Sequence, residues 1–279
     1  MKTRLLAFAG SKQAGKSTCS NFLHGYQLRA QGVIEDFIID EHGKLIIKTE
    51  IKQNGNEKEV GHTYLDTNRK DMEFVEWAMY NMWPYVKKYS FADSLKDLSI
   101  SLFGISYEQA YGNEAYKSQQ VPHLKWENMP GRTKKNRKKS GPMTVREFLQ
   151  YFGTNICRKM YEPVWVERCI KDIQQEEPLL GIIDDCRFGN EIEAVQNAGG
   201  KVIGLTRHPF NDDHSSERII QDNPNAFDAI IDNQDMEIAD VCVHVIKHLN
   251  EWGWLGDPLV NNSKIAKKQS GLHTIKAKQ

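Results

Sequence analysis

The octapeptide GSKQAGKS at residues 10–17 is a complete G-x-x-x-x-G-K-[ST] motif. In such a motif, glycines let backbone N–H groups approach phosphate oxygens, and the helix that follows presents its positive end to the anion. Lys16 is expected to reach the β- and γ-phosphates, Ser17 to bind Mg²⁺ through its hydroxyl, and Thr18 to donate to the α-phosphate. The residues predicted to bind the triphosphate are Gly10, Ser11, Gln13, Ala14, Gly15, Lys16, Ser17 and Thr18.

The residues around the motif agree with this interpretation. Leu5 to Ala9 form a short apolar run typical of a buried strand, and Ser17 to Arg29 have the apolar spacing of a helix. The order strand, glycine-rich turn, helix is the context that the motif requires. GTPases, motors, helicases and kinases all share it, and the sequence contains neither the N-K-x-D guanine signature nor a D-x-x-G switch, which disfavours a GTPase.

A second group of charged residues follows the apolar segment Leu179 to Asp184. Asp184 ends this strand as a Walker B carboxylate would, so it is a candidate magnesium ligand. Asp185 and Arg187 come directly after it. Because ligands of open α/β sheets bind beyond the carboxyl ends of the strands, all three side chains should flank the loop at residues 10–17. Alternatively, Arg187 forms a structural ion pair with Asp185.

Alternation of short apolar runs with longer amphipathic stretches predicts an α/β fold with a five-stranded parallel sheet between helices. The three further strands are expected at Tyr89 to Ala92, Lys201 to Thr206 and Ala229 to Ile231. Helices are expected at Asp66 to Lys87, Ser94 to Phe103, Thr144 to Phe152, Trp165 to Gln174, Glu191 to Ala198 and Met236 to Trp252.

Three segments depart from this alternation within a single predicted domain over residues 1–256. Residues 33–64 contain two apolar runs around Gly43, which predicts a β-hairpin insertion. Residues 113–142 are predicted to be a mobile loop; their basic run at 132–139 is a solvated loop, a lid for an anionic substrate, a nucleic-acid contact or a localisation signal. Residues 257–279 are polar and lysine-rich, and we expect them to be poorly ordered.

The overall charge disfavours some classes of partner. Lys and Arg together number 37, as do Asp and Glu, so the formal net charge is zero and no global field attracts nucleic acid or membrane. The apolar run near the amino terminus is too short for a signal peptide or a membrane span, and we therefore expect a cytoplasmic protein. The sequence leaves open whether the chain is a monomer or a homodimer.

Several stretches, taken in order, resemble the deoxynucleoside monophosphate kinases of tailed phages. Arg146 to Thr154 matches an R-x-x-x-Q-x-x-G-T element, and Asp185 to Arg187 matches a D-x-R element. The other similar segments are Arg158 with Trp165-Val166, Asn190-Glu191, Gly199 to Ile203 with Arg207, His214 to Glu217, and Ile231 to Asn233. With the motif at residues 10–17, the similarity covers somewhat over half of the chain and is weak in the hairpin, the basic loop and the tail.

This resemblance implies a kinase core with the strand of the phosphate-binding loop at its centre. The implied reaction transfers the γ-phosphate of ATP to a deoxynucleoside monophosphate (dNMP), with Mg²⁺ as cofactor. A monophosphate is already largely dianionic at neutral pH, since its second pKa is about 6, so catalysis needs cations and alignment rather than a general base. Lys16, Arg158 and Arg187 are the implied catalytic residues, because a guanidinium can hold phosphate through two hydrogen bonds.

The remaining implied contacts are mostly to the acceptor. The candidates are Lys96, Arg146, Gln150, Thr154 and Asp185, together with Arg158 and Arg187. Lys96 could equally be a surface lysine, and Gln150 could bond local backbone. Arg207 is a candidate for the ATP side, with a solvated arginine as the alternative, and His214 and Glu217 would order the loop above ATP.

Two rival functions remain open from the sequence. One is another P-loop phosphotransferase, such as a dephospho-CoA kinase or a polynucleotide kinase that uses the basic run. The other is a non-catalytic nucleotide-binding module. The accepted base and the preference between deoxyribose and ribose depend on the shape of the pocket, which the motifs do not specify.

Overall fold

The computed structural model describes residues 3–52, 58–131, 139–208 and 219–255. The chain divides into two compact units: unit 1 is formed by residues 1–89 and 173–279, and unit 2 by residues 90–172. The single domain over 1–256 stays a prediction.

The strands and helices are numbered in chain order. The strands are β1 (Arg4–Gly10), β2 (Phe37–Ile39), β3 (Leu45–Lys52), β4 (Lys58–Tyr64), β5 (Val86–Tyr89), β6 (Gln120–Lys125), β7 (Pro142–Thr144), β8 (Leu180–Cys186), β9 (Lys201–Leu205) and β10 (Ala229–Ile231). The helices are α1 (Lys16–Ala30), α2 (Met72–Asn81), α3 (Asp93–Phe103), α4 (Tyr107–Tyr111), α5 (Glu114–Lys117), α6 (Val145–Gln150), a π-helix (Tyr151–Cys157), α7 (Arg158–Met160), α8 (Val164–Glu176), α9 (Gly189–Asn197), α10 (Ile219–Asp222) and α11 (Ile238–Glu251).

Unit 1 contains a five-stranded parallel sheet in the order β10-β9-β1-β8-β5. The central strand β1 is apolar after Arg4, and Leu5 to Ala9 are all buried. Helices cover this sheet, as parallel strands with two apolar faces require. The predicted α/β fold with a five-stranded parallel sheet between helices is therefore confirmed.

The predicted hairpin after α1 is confirmed and is part of a larger sheet. Strands β2 and β3 pair antiparallel with Phe37 opposite Ile47, and β4 adds a third strand beside β3. Leu45 is fully buried in the main core with Leu23 of α1. The sequence did not predict β4, because its residues KEVGHTY lack a run of alternating apolar side chains.

Two neighbouring predictions were wrong in their bounds. The helix expected from Asp66 to Lys87 is only α2, which begins after the N-cap Asp71 and ends at Asn81. Pro84 follows shortly after, and a proline limits helix continuation because it lacks the backbone N–H. The strand expected at Tyr89 to Ala92 lies three residues earlier, as β5, because its central residues Lys87 and Lys88 concealed it among polar side chains. The bounds of the other four sheet strands lie within two residues of those predicted.

Unit 2 is built from α3 to α7 and the β6–β7 pair, together with the first part of α8. Its core includes the rings of Phe103, Phe148 and Phe152, with Phe103 lying 4.8 Å from Phe148 between ring centroids. The helix predicted at Thr144 to Phe152 begins as α6, with Thr144 and Glu147 bonding reciprocally at its start, and continues as the π-helix.

Residues 113–142 were predicted to be a mobile loop, but their described part contains helix α5 and strand β6. Asn113 caps α5, and Val121 and Leu124 of β6 are buried. These elements are short and carry few apolar residues, so hydrophobic periodicity does not reveal them. Residues 132–138 of the basic run and the predicted tail at 257–279 lie outside the described residues. Among the helices described, none is both long and apolar enough to span a membrane.

Candidate functional site

The loop between β1 and α1 has a backbone that its glycines make accessible. Gly10 has φ +149° and Gly15 has φ +100°, and a Cβ added at Gly10 would lie 2.7 Å from the carbonyl oxygen of Leu205. Gln13, at φ +61°, also adopts the left-handed region. Helix α1 then starts without a side-chain cap and without an acidic residue in its first turn. Its first N–H groups and its dipole therefore suit an anion.

Lys16 lies inside this loop and is 7% exposed. Its Nζ donates to the carbonyl oxygens of Gly10 at 2.7 Å and Ser11 at 2.6 Å. The ammonium is thus held within the loop where the convergent N–H groups would receive phosphate. The contact of Lys16 with the β- and γ-phosphates stays a prediction.

Ser17 and Asp184 meet beside the loop. The Ser17 hydroxyl donates to Asp184 Oδ2 at 2.9 Å, and Asp184 is 9% exposed. The same carboxylate oxygen lies 3.5 Å from Nζ of Lys88 on β5. The sequence-based prediction that Ser17 and Asp184 act together is consistent with this geometry, whereas Lys88 was not predicted.

A β-bulge in β8 contains the two successive aspartates, Asp184 and Asp185. Ala7 pairs with Ile183 but Ala9 pairs with Cys186, so β8 has one extra residue over this interval. Such bulges commonly redirect a side chain at a functional site. Asp184 is buried against Ser17, whereas Asp185 is only half-buried.

Ser17 and Asp184 offer two oxygen donors to a hard divalent cation. Nowhere in the described ranges do three or more His, Cys, Asp or Glu side chains form a group that could hold a metal by themselves. A small cation that is held by one or two carboxylates, a hydroxyl, waters and substrate phosphates fits this donor set, whereas a site with only protein ligands does not.

On the other side of β1, Asn233 connects the loop to the ends of β9 and β10. Its Nδ2 donates to the Ala14 carbonyl oxygen at 2.8 Å, and its Oδ1 accepts from the Arg207 N–H at 2.9 Å. Ser11 Oγ donates to the Arg207 carbonyl oxygen at 2.7 Å. Asn233 was noted in the sequence only as part of a similar segment, and its bonds identify it as a support for the loop.

The guanidinium of Arg207 is bonded to the protein backbone. Its Nε and one terminal nitrogen donate to the carbonyl oxygens of Asn233 and Met236, at 3.2 and 3.0 Å. The guanidinium is therefore bound to backbone rather than solvated. A role on the ATP side stays a prediction.

Behind Ser17, helix α1 has a buried histidine. His24 is fully buried, and its Nδ1 lies 2.8 Å from the Ser20 carbonyl oxygen, a bond in which the ring must be the donor. Burial lowers its pKa to about 4, with the charge of Lys88 acting in the same direction. The ring is therefore neutral at physiological pH, and its Nε2 has no hydrogen-bond partner within the described part of the chain.

Glu191 fixes the backbone at Arg187. Its buried carboxylate accepts from the N–H groups of Arg187 at 2.7 Å and Phe188 at 3.1 Å. These bonds hold the backbone of Arg187 in the turn between β8 and α9. Burial also raises the pKa of the adjacent Cys186 thiol, so this cysteine is an unsuitable nucleophile.

The turn between β2 and β3 packs on the first turns of α1. A Cβ added at Gly43 would lie 2.2 Å from Thr18 Oγ1, and Asn21 Nδ2 donates to the Gly43 carbonyl oxygen at 2.8 Å. Gly43 also has φ +75°, a conformation that favours glycine. The inserted sheet therefore lies against Thr18, the residue predicted to contact the α-phosphate.

In unit 2, Lys96 lies among acidic and aromatic groups. Its Nζ is 3.7 Å from Asp93 Oδ1 and 4.5 Å from the ring centroid of Tyr111. The Tyr111 hydroxyl donates to Asp97 at 2.6 Å, and burial with these carboxylates raises its pKa. Lys96 is thus partly neutralised by its own unit.

The segment of unit 2 that carries Gln150, Thr154 and Arg158 runs from the end of α6 through the π-helix to α7. π-Helices are rare and occur often at functional sites. Within it, a Cβ on Gly153 would lie 2.7 Å from Leu95 Cδ2, and the Gly153 carbonyl oxygen accepts from the Trp165 indole at 3.2 Å. Gln150 and Thr154 are exposed, and Arg158 is half-buried.

Arg146, the remaining candidate in unit 2, forms an ion pair with Glu114. His214 and Glu217 lie outside the described residues. Unit 1 therefore brings together Lys16, Ser17 and Asp184, and the roles predicted for the unit 2 residues stay predictions.

Comparison with known proteins identifies the family of this chain. The deoxynucleotide monophosphate kinase family model matches residues 4–242. A protein of Acanthamoeba polyphaga mimivirus, named provisionally as a deoxynucleotide monophosphate kinase, is 28% identical over 142 residues. That match covers 46% of this chain and 65% of the mimivirus protein. Since the family model spans most of the chain, the chain belongs to the deoxynucleotide monophosphate kinase family.

Proposed function

We propose that this protein transfers the γ-phosphate of ATP to a dNMP and releases ADP and the deoxynucleoside diphosphate (dNDP). The observation that carries this proposal is the contact between Ser17 and Asp184 beside the buried Lys16. It places two candidate ligands of a cation next to the lysine of the phosphate-binding loop. The family match supports a deoxynucleoside monophosphate as the acceptor.

In the reaction, an anionic oxygen of the dNMP phosphate forms a bond to the γ-phosphorus. The bond from that phosphorus to the β–γ bridging oxygen breaks, and ADP leaves with the electron pair. No proton has to be removed from the nucleophile at neutral pH, since the second phosphate pKa is about 6. The protein therefore has to align the two nucleotides and neutralise their charge.

The donor side of this mechanism uses backbone and lysine. The N–H groups of residues 10–18 would bind the phosphates of ATP, and Lys16 would leave the carbonyl oxygens of its own loop to contact the transferred group. Ser17 and Asp184 would hold Mg²⁺. When bound, this ion would neutralise phosphate charge.

The acceptor side uses arginine. Arg187, on the turn fixed by Glu191, would bind phosphate in unit 1. Arg158, Lys96, Arg146, Gln150 and Thr154 of unit 2 keep the acceptor contacts predicted from the family resemblance, and Asp185 keeps its predicted contact to the acceptor.

A panel of acceptors tests this proposal. ADP release is measured at fixed Mg·ATP with dAMP, dGMP, dCMP and dTMP, and with the corresponding ribonucleotides, dephospho-CoA and a 5′-hydroxyl oligonucleotide. We expect turnover with at least one dNMP and loss of that turnover in Lys16→Ala. Turnover only with dephospho-CoA or the oligonucleotide, or ATP binding without turnover, would reject the proposal in favour of a rival.

A further inference from the structure

Two successive lysines in the edge strand β5 have different environments. Val86 of β5 packs in the main core with Leu180 and Ile182 of β8. Side chains alternate between the two faces of a strand, so Lys88 lies on the same face as Val86 and Lys87 lies on the other. Lys87 pairs with Glu176, whereas Lys88 pairs with Asp184.

The neighbours of Lys88 belong to the phosphate and cation site. Its Nζ lies 3.5 Å from Asp184 Oδ2, the oxygen that also accepts from Ser17. The side chain of Lys88 is 22% exposed and that of Asp184 is 8% exposed. The ammonium is therefore partly desolvated at the carboxyl edge of the sheet and still accessible to a ligand.

Lys88 has donor capacity beyond this contact. An ammonium has three N–H donors. In the part of the chain that the structure describes, its hydrogen-bonding partner is Asp184, at a long distance. A phosphate oxygen would satisfy the remaining donors, and a partly desolvated cation gains more from such a bond than an exposed one.

The position of β5 in the sheet indicates that Lys88 would contact the phosphate of the dNMP rather than the phosphates of ATP. Neighbouring strands are about 4.8 Å apart, so β5 lies about 10 Å from β1 across β8. On the opposite side of β1, Asn233 and Arg207 are bonded to the phosphate-binding loop itself. The other side of the loop has Asp184 of β8 and Lys88 of β5, so a phosphate that approaches from this side would meet Lys88 beyond the transferred group.

We propose that Lys88 is a catalytic residue that binds the phosphate of the acceptor nucleotide, a role that rests on the proposed kinase function. In the transfer step, the attacking oxygen of that phosphate forms the bond to the γ-phosphorus while ADP leaves with the electrons of the broken bond. Lys88 donates hydrogen bonds to the non-attacking oxygens and orients the nucleophile. Its own protonation state does not change.

The test compares Lys88→Met with Lys87→Met, a matched substitution on the opposite face of the same strand. We expect Lys88→Met to raise the KM for dNMP about 10-fold and to lower kcat about 100-fold, in line with the loss of one charged contact to reacting groups. Calorimetric binding of Mg·ATP should change by less than about threefold, and calorimetric binding of dNMP should weaken in parallel with KM. Lys87→Met should keep wild-type kinetics.

Lys88→Arg provides a second variant if the methionine variant fails to fold. It keeps the positive charge beside Asp184, so it should keep dNMP binding near the wild-type value and recover part of kcat. Wild-type kcat and KM in Lys88→Met would overturn the inference and leave the kinase proposal intact. Parallel losses of stability and Mg·ATP binding in the Lys88 variants would also overturn it, because a structural role predicts them. If the wild-type protein turns over none of the dNMPs, the proposed function is rejected, and the role of Lys88 is rejected with it.

Discussion

The two sides of the site in unit 1 are built in different ways. The phosphate-binding loop uses backbone geometry, with positive φ angles at Gly10 and Gly15 and a lysine held by loop carbonyl oxygens. The edge formed by β8 and β5 uses side chains that strand pairing brings together, chiefly Asp184 and Lys88. A local motif can specify the first side, whereas only the folded sheet specifies the second.

The largest effect should come from the loop. Lys16→Ala should reduce kcat by about 1,000-fold or more, because it removes the cation nearest to the transferred phosphate. Circular dichroism should show the wild-type fold. Lys12→Ala, in the exposed part of the same loop, serves as control and should retain most activity. Activity of Lys16→Ala within about tenfold of wild type would place the chemistry elsewhere.

A smaller effect should come from Asp184 near the end of β8. Asp184→Asn should lower kcat about 100-fold and raise the Mg²⁺ concentration needed for half-maximal rate, since it removes a carboxylate ligand and the counter-charge of Lys88. Asp185→Asn, one residue along, should alter the KM for dNMP and leave the Mg²⁺ requirement unchanged. An equal shift in Mg²⁺ requirement for both variants would contradict the assignment of Asp184.

The contact between the inserted sheet and α1 can be tested through stability. Gly43→Ala should lower the free energy of unfolding by about 2 kcal/mol, because the added Cβ meets Thr18 and the left-handed backbone disfavours alanine. Gly32→Ala has a similar φ of +69° but nothing within 4 Å of its Cβ, so it should cost about half as much. Urea unfolding measures both. Equal losses of unfolding free energy in the two variants would show that the contact with Thr18 does not contribute.

The smallest effect concerns pH. The pKa of His24 is lowered to about 4 in the folded chain from the ordinary value of 6.5. Between these values the unfolded chain binds a proton that the folded chain does not, so stability is present above pH 6.5 and is lost as the pH falls toward 4. From pH 7 to pH 5.5 the contribution should fall by about 1 kcal/mol.

His24→Gln should remove this part of the pH dependence in urea unfolding. His42→Gln, at an exposed histidine, is the matched control and should keep the wild-type slope. A wild-type slope in His24→Gln would show that other groups cause the acid sensitivity.

The difference between the two sides also explains which features the sequence could predict. The strand–loop–helix unit, the strand ending at Asp184, and β10 were predicted with bounds at or near those observed, because each combines an apolar run with a nearby glycine or carboxylate. Strand β5 was misplaced because two of its four residues are lysines. As a result, the sequence analysis did not identify Lys88 as a candidate site residue.

Other features depend on contacts that are distant in sequence. Asn233 is bonded to Ala14 across 219 positions, and no spacing within either segment indicates that bond. The β-bulge at Asp184 appears only in the pairing of β8 with β1. The helix predicted from Thr144 ended at Phe152, so only the first two residues of the π-helix from Tyr151 to Cys157 were predicted to be helical.

In the proposed reaction, the loop and the β8–β5 edge transfer one phosphoryl group from ATP to a dNMP. ³¹P NMR of a reaction that contains Mg·ATP and the accepted dNMP tests this most directly, because it follows both products at once. We expect the γ-phosphate signal of ATP to be replaced by the β-phosphate signals of ADP and dNDP in equal amounts. Accumulation of inorganic phosphate without dNDP would contradict it.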